Sequence, residues 1–338
     1  MADAQTDLIA AVRAGEAGAF DRLVGPFRAE LEAHCYRMVG SLHDAQDVVQ
    51  ETLLRAWRGL PGFDDRGPIR PWLYRIATNR CLTLLERRGR RELPTDLAPG
   101  AAEVAERSWL EPYPDHRLDA PGQSAEQRYE LREGVELAFV AALQHLPARQ
   151  RAALLICEVL AFSAAEAAAM LDTTTAAVTS ALQRARHTLR DRAGSQQEAQ
   201  RALGDAGVRE LAHRYTAAWE AGDVDGILAL LTEDARYAMP PLAAWYEGHD
   251  AIRAFLTDGP LAWRWRFRPA RANGQLAFAT YLRERPDGPW VACALDVLAL
   301  RGDRIEEVVS FLGAEVFVAF GLPTSLDPTD DPAGPAGL

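Results

Sequence analysis

The chain is organised around two neighbouring stretches, SLHDAQDVVQETLLRAW at residues 41–57 and PWLYRIATNRCLTLLERRGRR at residues 71–91. In the first stretch, small and apolar residues recur at the three- and four-residue spacing of one helix face. That face consists of Ala45, Val48, Val49, Thr52 and Ala56. Ser41 lies three residues before Asp44, which predicts a start that resembles a capping box. The stretch therefore predicts a helix that buries one face and presents acidic residues on another.

The second stretch predicts a helix that begins at Pro71, because proline lacks the N–H group that the first turn of a helix leaves without a partner. One face of this helix carries aromatic, guanidinium, amide and hydroxyl side chains: Trp72, Arg75, Asn79, Thr83 and Arg87. Arginine holds phosphates, asparagine or arginine meets base edges, and an aromatic ring stacks on an unstacked base. Such a face is typical of a nucleic-acid reader, but periodicity alone fits a solvated amphipathic helix equally well.

Residues 44–57 and 71–80 resemble conserved region 2 of the extracytoplasmic-function group of bacterial sigma factors. The resemblance implies that the first helix docks on the clamp helices of the RNA polymerase β′ subunit. The residues that would make this contact are Asp44, Asp47, Gln50, Glu51 and Arg55. It also implies that the loop and the second helix capture and melt the promoter −10 element. The residues that would contact this element are Phe63, Trp72, Arg75, Asn79, Arg80, Thr83 and Arg87.

The length of 338 residues allows two or three domains, each with a core of its own. The net charge of −11 argues against a simple high-affinity DNA-binding protein, since non-specific DNA binding depends on basic residues. A sigma factor is compatible with this charge because its polymerase supplies most of the hold on DNA. The four cysteines are scattered, so we predict no metal site, no disulfide framework and no cofactor. We find no signal-peptide pattern and no apolar run of membrane length, and we therefore predict a cytoplasmic protein without a membrane partner.

Residues 92–125 are rich in proline, glycine and acidic side chains, which predicts an acidic flexible linker. The sigma-factor resemblance implies that this linker runs near the active-site channel of the polymerase. A merely solvated spacer is equally compatible with the composition.

Residues 126–192 predict a second helical unit. Ser163 and Glu166 have the spacing of a capping box and predict a short helix, which a turn joins to a further amphipathic helix. Two helices joined in this way have the layout of a helix-turn-helix. The unit resembles sigma region 4, and this implies binding to the polymerase β flap and to the promoter −35 element. The residues that would contact that element are Thr174, Thr175, Thr179, Ser180, Gln183, Arg184 and Arg186.

Residues 205–325 begin with helical spacing and then change to the two-residue period of strands, which indicates an α+β fold. With EGHDAI at residues 247–252, this part resembles the SnoaL-like branch of the NTF2-like cone folds. That resemblance implies a pocket, with these candidate lining residues: Tyr215, Trp219, Tyr237, Trp245 and Asp296. The aromatic residues fit a simple core at least as well, and we predict no catalytic residue. Residues 326–338 are rich in proline, aspartate and glycine and predict a disordered tail.

The sequence thus predicts a multidomain protein: two all-α sigma domains at residues 7–91 and 126–192, followed by an NTF2-like α+β cone at residues 205–325. The hypothesis is a sigma factor, not an enzyme, that directs core RNA polymerase to specific promoters. The last domain would regulate it in cis, through contact with the sigma domains. The alternative is a DNA-targeted small-molecule sensor or an enzyme of the SnoaL type.

Overall fold

The computed structural model describes residues 2–64, 67–97, 108–118, 132, 134–189, 196–285 and 288–327. The chain divides into two compact units, which are Met1–Arg91 with Arg117–Ala193, and Glu92–His116 with Gly194–Leu338. We refer to them as the helical unit and the sheet unit. Much of the predicted linker and nearly all of the predicted tail lie outside the described residues. Within those residues, no helix combines the length and the apolar composition needed to cross a bilayer.

The helical unit contains these α-helices among its described residues: α1 (Ala2–Arg13), α2 (Ala19–Val24), α3 (Arg28–Val39), α4 (Leu42–Gly59), α5 (Ile69–Arg88), α6 (Leu137–Gln144), α7 (Ala148–Leu154), α8 (Ala164–Met170) and α9 (Thr175–Leu189). Helices α3, α4 and α5 pack against one another. The face of α4 that the periodicity predicted to be buried is buried throughout, which confirms the helix and its orientation.

The starts of three helices follow local sequence signals. The Oγ atom of Ser41 accepts a hydrogen bond from the N–H of Asp44 at 3.0 Å, so the predicted cap of α4 is confirmed. Ser163 and Glu166 form a reciprocal capping box at α8, as predicted. Helix α5 begins at Ile69 rather than at Pro71, because Pro68 with ψ 144° supplies the extended residue before the first turn.

The sheet unit combines four helices and seven strands among its described residues: α10 (Gln196–Ala221, with non-helical backbone at Gly204), α11 (Val224–Leu230), β1 (Leu231–Ala238), β2 (Trp245–Glu247), α12 (Gly248–Asp258), β3 (Arg264–Ala272), β4 (Gln275–Arg283), β5 (Trp290–Arg301), β6 (Arg304–Leu312), α13 (Ala314–Ala319) and β7 (Ser325–Leu326). The strands follow the order β2-β1-β6-β5-β4-β3, and β7 pairs with β5. The β1–β6 pair is parallel and the other pairs are antiparallel. The α+β prediction is confirmed.

The tight turns of this sheet lie where the sequence predicts them. Asn273 and Gly274 join β3 to β4, with φ angles of 57° and 68°. Gly302 has a φ of 65° in the turn between β5 and β6. Glycine and asparagine tolerate this left-handed backbone better than other residues, so the turn positions can be recognised without knowledge of the sheet.

Two parts of the predicted linker, residues 92–97 and 108–116, belong to the sheet unit. Leu110 and Tyr113 are buried there, like residues of a core. This differs from the expectation of a free linker, because these segments contain apolar side chains that can be buried and backbone groups that pair with the sheet.

Candidate functional site

The exposed face of α4 carries most of the acidic and amide residues predicted to dock on polymerase. Asp47, Gln50 and Arg55 are exposed, and Glu51 is half-buried beside them. The Nε of Arg55 donates to Glu51 Oε1 at 2.6 Å, and this hydrogen bond lowers the pKa of the Glu51 carboxyl. Asp47 lies 3.7 Å from His43 in the same helix. The face therefore presents two carboxyl groups to a partner, and Arg55 favours the ionised form of the Glu51 carboxyl.

Asp44 is not part of that face. Only 5% of its side chain is exposed, and it forms ion pairs with Arg88 and, at 2.8 Å, with Arg91. These arginines lie at and just beyond the end of α5, so the carboxylate joins the beginning of α4 to the end of α5. We therefore assign Asp44 a structural role between α4 and α5 and do not count it among the residues of the exposed face.

Two large apolar residues extend the face and were not among the predicted docking residues. Leu54 and Trp57 are 40% and 56% exposed. Trp57 also borders an open groove of about 260 Å³, lined by Val12, Arg13, Trp57, Arg58, Leu60 and Pro61. Helical spacing could have identified both residues, since neither coincides with the buried stripe.

The side chains predicted to contact the −10 element lie along one side of α5. The ring of Phe63, from the loop before this helix, packs on Trp72 with centroids 4.9 Å apart. Arg75, Asn79 and Arg87 are exposed. Thr83 and Arg80 are half-buried on the same helix, and Thr83 Oγ1 donates to the carbonyl of Asn79 at 2.9 Å.

The second half of the helical unit packs against the first through α5. Asn79 Nδ2 approaches the carbonyl of Met170 in α8 at 3.5 Å. The guanidinium of Arg70 lies 4.8 Å from the ring centroid of Phe162, and its Nη1 donates to the carbonyl of Leu160 at 3.4 Å. In this arrangement α8 partly covers the predicted DNA-contacting side of α5.

We call the contact between the two halves of the helical unit, α1–α5 and α6–α9, the seam. A buried arginine also joins the two halves across it. Arg151, in α7, donates to the carbonyl of Met38 in α3. It also donates to Gln144 Oε1 at 2.6 Å and to the carbonyls of Gln144 and Leu146 at 3.1 and 3.3 Å. Burial lowers the pKa of Arg151 to about 10, so its guanidinium remains charged at neutral pH.

A second buried arginine also crosses the seam. Arg37 is fully buried, and its Nε donates to the carbonyl of Gly134 at 2.7 Å. A Cβ atom at position 134 would lie 2.5 Å from Arg37 Nη2, so the close approach depends on glycine.

The predicted −35 contacts lie on α9 and the turn before it. Thr174 Oγ1 accepts from the N–H of Ala177 at 3.2 Å and so caps the helix. The remaining predicted contacts are all exposed: Thr175, Thr179, Ser180, Gln183, Arg184 and Arg186. Of these, Arg186 forms an ion pair, with its Nε 2.5 Å from Glu158 Oε1. The structure therefore brings these side chains together on one accessible surface.

Four of the five predicted pocket residues meet inside the sheet unit. Tyr215 donates to Asp296 Oδ2 at 3.2 Å, and Ser310 donates to Asp296 Oδ1 at 2.5 Å. The hydroxyl of Tyr237 lies 3.0 Å from that of Ser310, while the Trp219 ring packs on Tyr215 and Tyr237. Burial raises the pKa of Asp296 to about 6, against the opposing effect of its two hydroxyl donors. Ser310 was not predicted, since only the register of β5 with β6 places it opposite Asp296.

Trp245 does not join this cluster. It lies in β2, and its Nε1 donates to the carbonyl of Leu97 at 3.1 Å. The buried core around Tyr215, Trp219 and Tyr237 does not include it. Trp245 instead contacts one of the two linker segments.

The β3–β4 turn holds the other linker segment, residues 108–116. Asn273 N–H donates to the carbonyl of Tyr113 at 2.8 Å, and Asn273 Oδ1 accepts from the N–H of Tyr113 at 2.8 Å. The N–H of Gly274 donates to Asp115 Oδ1 at 2.8 Å. The turn thus uses its backbone and its amide side chain to satisfy the polar groups of the segment.

Among the described residues, no group of three or more His, Cys, Asp or Glu side chains is arranged to hold a metal ion. The polar centres of the structure are therefore the seam, the Asp296 cluster and the exposed faces of α4, α5 and α9.

Comparison with protein families gives three matches along the chain. Sigma-70 region 2 matches residues 23–91, Sigma-70, region 4 matches residues 136–189, and the SnoaL-like domain matches residues 212–308.

Two of the similar proteins match most of this chain, and a third matches about half of it. The ECF RNA polymerase sigma factor SigG of Mycobacterium tuberculosis is 46% identical over 319 residues, which are 91% of this chain and 85% of that protein. The ECF RNA polymerase sigma factor SigE of Mycolicibacterium smegmatis is 33% identical over 176 residues, 51% of this chain and 60% of that protein. The crystal structure of M. tuberculosis extracytoplasmic function sigma factor SigJ matches with a TM-score of 0.59 and 21% identity, over 88% of this chain and 97% of that one. At this identity the SigJ match establishes the likeness of fold.

Proposed function

The chain belongs to the extracytoplasmic-function sigma factors of the sigma-70 family, and from this premise we propose which surfaces carry out each part of its work. As a sigma factor, it directs RNA polymerase core to specific promoters and initiates transcription. Its SnoaL-like domain is fused to the two sigma regions and has a regulatory role. We place its work in the cytoplasm, where RNA polymerase meets promoter DNA.

The polymerase-docking surface comprises Asp47, Gln50, Glu51 and Arg55 of α4, together with the exposed Leu54 and Trp57. The observation that carries this assignment is a mixed surface, with acidic, amide and guanidinium side chains around two apolar side chains that are 40% and 56% exposed. Interfaces between proteins combine an apolar centre with a polar rim in this way. On polymerase, the partner of this surface is the β′ clamp helices, and region 4 contacts the β flap.

The two DNA-contacting surfaces are the Phe63–Arg87 side of α5 for the −10 element and the exposed side of α9 for the −35 element. The α5 surface is partly covered, because Asn79 meets Met170 at the seam. Full contact with the −10 element therefore requires the seam to part. We propose that binding to polymerase parts it.

The SnoaL-like domain regulates in cis by holding the linker between the sigma regions. The supporting contacts are those of Asn273 with Tyr113, Gly274 with Asp115, and Trp245 with Leu97. A linker held by these contacts is not available to the active-site channel of polymerase. The domain would thus limit transcription until the linker is released.

Reversing charge on α4 tests the docking surface. Replacing both Asp47→Arg and Glu51→Arg should weaken association with core polymerase by about tenfold or more, because two attractive contacts become repulsive. The measurement is a titration of labelled full-length protein with core polymerase. The matched control, Asp225→Arg with Asp234→Arg, reverses two exposed acidic residues in the sheet unit and should bind normally. If the α4 variant binds core polymerase as the parent does, the assignment of this face is wrong.

Removing the Asn273 side chain tests the regulatory contact. Asn273→Gly keeps the left-handed backbone of the turn and removes the acceptor for Tyr113. Loss of one buried hydrogen bond costs about 1–3 kcal/mol, so the ratio of held to released linker should fall about tenfold or more. Hydrogen exchange at the Tyr113 amide should accelerate, and transcription from a reconstituted promoter should rise. Faster exchange with unchanged transcription would mean that the contact is structural only.

A sensor or enzyme role for the sheet unit is the second candidate, and the raised pKa of Asp296 is the observation that favours it. A carboxyl that titrates near neutral pH can transfer protons. We nevertheless propose that this unit is not an enzyme. Tyr215 stacks on Phe278 at 5.6 Å and contacts Phe267 at 5.8 Å, so rings occupy the space beside the carboxyl that a substrate would need.

A further inference from the structure

Strand β3 carries a row of arginines that the sequence analysis did not use. Alternate residues of a strand point to opposite faces of the sheet. Trp265 and Phe267 belong to the aromatic core, so Arg264, Arg266 and Arg268 lie on the other face. Residues of this face repeat about every 6.7 Å along a strand. The row is notable in a chain whose net charge is −11.

Two arginines of this face share one indole ring. The guanidinium carbons of Arg266 in β3 and Arg283 in β4 lie 4.6 and 4.3 Å from the ring centroid of Trp290. Trp290 is only 4% exposed, and it packs with Tyr281 and Phe317 in a small second core of the sheet unit. The indole therefore fixes the positions of two like charges that would otherwise repel each other.

The same three side chains have hydrogen-bond donors without acceptors. Arg266 Nη1, Arg283 Nε and Trp290 Nε1 are buried atoms that find no partner within the described ranges. Stacking on an aromatic ring explains the position of a guanidinium, but it does not satisfy N–H groups. Buried donors without acceptors are costly, and each calls for an explanation such as a missing ligand. A cluster that offers only hydrogen-bond donors and carries two positive charges is suited to binding an anion.

We propose that Arg266, Arg283 and Trp290 form a phosphate-binding site of the sheet unit, and that its ligand is the backbone of duplex DNA next to the −35 element. Guanidinium groups bind phosphate oxygens through two parallel hydrogen bonds. A row of arginines extends the site in one direction, as a linear polyanion requires. In chain order the sheet unit follows α9, so the duplex read by α9 is the DNA nearest to it along the chain.

A competing occupant is the acidic end of the chain itself. Leu326 pairs with Trp290 in the register of β7 and β5, and the sequence after it contains Asp327, Asp330 and Asp331. Three carboxylates would match only part of the arginines on this face, which are Arg264, Arg266, Arg268 and Arg283. We therefore favour DNA, and the experiment below separates the two.

The test compares the salt dependence of promoter binding by reconstituted holoenzymes. Arg266→Gln with Arg283→Gln keeps much of each aliphatic stem and removes both charges. Each lost phosphate contact makes the negative slope of log Kobs against log salt shallower by about 0.9. The slope should therefore become shallower by about 2, and the parent's advantage should shrink about tenfold between 50 and 200 mM salt. The loss should be similar for all sequences upstream of the −35 element, because phosphates carry no sequence information.

Two controls make the result specific. Arg253→Gln with Arg301→Gln removes the same charge from arginines that already pair with aspartates, and its slope should equal the parent's. On a promoter fragment that ends at the upstream edge of the −35 element, the Arg266/Arg283 variant and the parent should also give equal slopes. Both variants must first bind core polymerase normally, so that a failure of docking is recognised separately.

Three results would overturn the proposal. The first is an unchanged slope for the Arg266/Arg283 variant on the long fragment. The second is an equal reduction on the long and the truncated fragments. The third is an unchanged slope together with faster hydrogen exchange in residues 328–338 of the variant, which would assign the cluster to the acidic end of the chain.

Discussion

In the helical unit two buried guanidiniums, those of Arg37 and Arg151, cross the seam, whereas in the sheet unit the carboxyl of Asp296 is buried among aromatic side chains. The guanidinium of Arg151 stays charged at neutral pH, because burial lowers its pKa only to about 10. The pKa of Asp296 is raised by burial to about 6, so this group changes its charge near neutral pH. Arg151 and Asp296 therefore respond to pH in different ways.

The partners of these groups explain the difference. The carbonyls that accept from Arg151 lie at the ends of α3 and α6, where helices leave acceptors without intrahelical donors. A cation at these ends also interacts favourably with the helix dipoles. Among the described residues, Asp296 accepts hydrogen bonds from two neutral hydroxyls, those of Tyr215 and Ser310. When the seam opens, water can replace the hydrogen bonds of Arg151 and its carbonyl acceptors. The hydrogen bonds of Asp296 lie inside the sheet core and have no such replacement.

The largest expected effect is that of Arg151→Met. This change leaves the carbonyls of Met38, Gln144 and Leu146 without their buried donor, and the free energy of unfolding of the helical unit should fall by about 4 kcal/mol. Denaturant titration of the full chain, followed by circular dichroism, measures it. Arg149→Met removes an exposed arginine from the same helix and should change stability by less than about 0.5 kcal/mol. Equal effects of the two changes would show that the seam does not depend on the buried guanidinium.

Asp296→Asn should alter how the stability of the sheet unit depends on pH. Because folding raises the pKa of Asp296 from 3.8 to about 6, the parent loses stability as pH rises through this window. The asparagine variant lacks this loss, so relative to the parent it should gain about 3 kcal/mol between pH 3.5 and pH 7. Thermal unfolding across that range, followed by tryptophan fluorescence, provides the measurement.

The same variant bears on the proposed absence of catalysis. Promoter-directed transcription by Asp296→Asn should equal that of the parent at neutral pH. A variant that folds normally but loses regulated transcription would instead favour the sensor or enzyme hypothesis for the sheet unit.

The smallest expected effect is that of Arg70→Gln, which weakens the seam at its half-exposed edge. The change removes the stacking on Phe162 and the contact with Leu160, at a cost of about 1–2 kcal/mol. A distance label on each side of the seam should report a larger open population. Arg75→Gln removes the same charge from the exposed side of α5 and should leave the distance distribution unchanged. If both variants match the parent, Arg70 does not hold the seam closed.

Features that depend on neighbouring residues could be predicted from the sequence. The caps at Ser41 and Ser163 and the turn at Asn273 each depend on three or four consecutive positions, and each is confirmed. The clustering of Tyr215 with Asp296 was also anticipated, because the resemblance to SnoaL-like folds implied a pocket that both residues line.

Features that depend on distant partners could not be predicted. The burial of Asp44 follows from arginines 44 and 47 residues away. The capture of Tyr113 by Asn273 joins residues 160 positions apart. Neither pairing leaves a mark on local periodicity or composition, so Asp44 was read as an exposed acid and the linker as a free one.

Gly134 gives the seam an unusual point of access. The missing side chain leaves just enough room for the guanidinium of Arg37, and a single methyl group would displace it. Gly134→Ala would therefore displace the Arg37 guanidinium and weaken the seam without changing any residue that we assign to polymerase or DNA. Such a protein should open more readily before polymerase arrives, and promoter recognition could then be measured with this contact already lost.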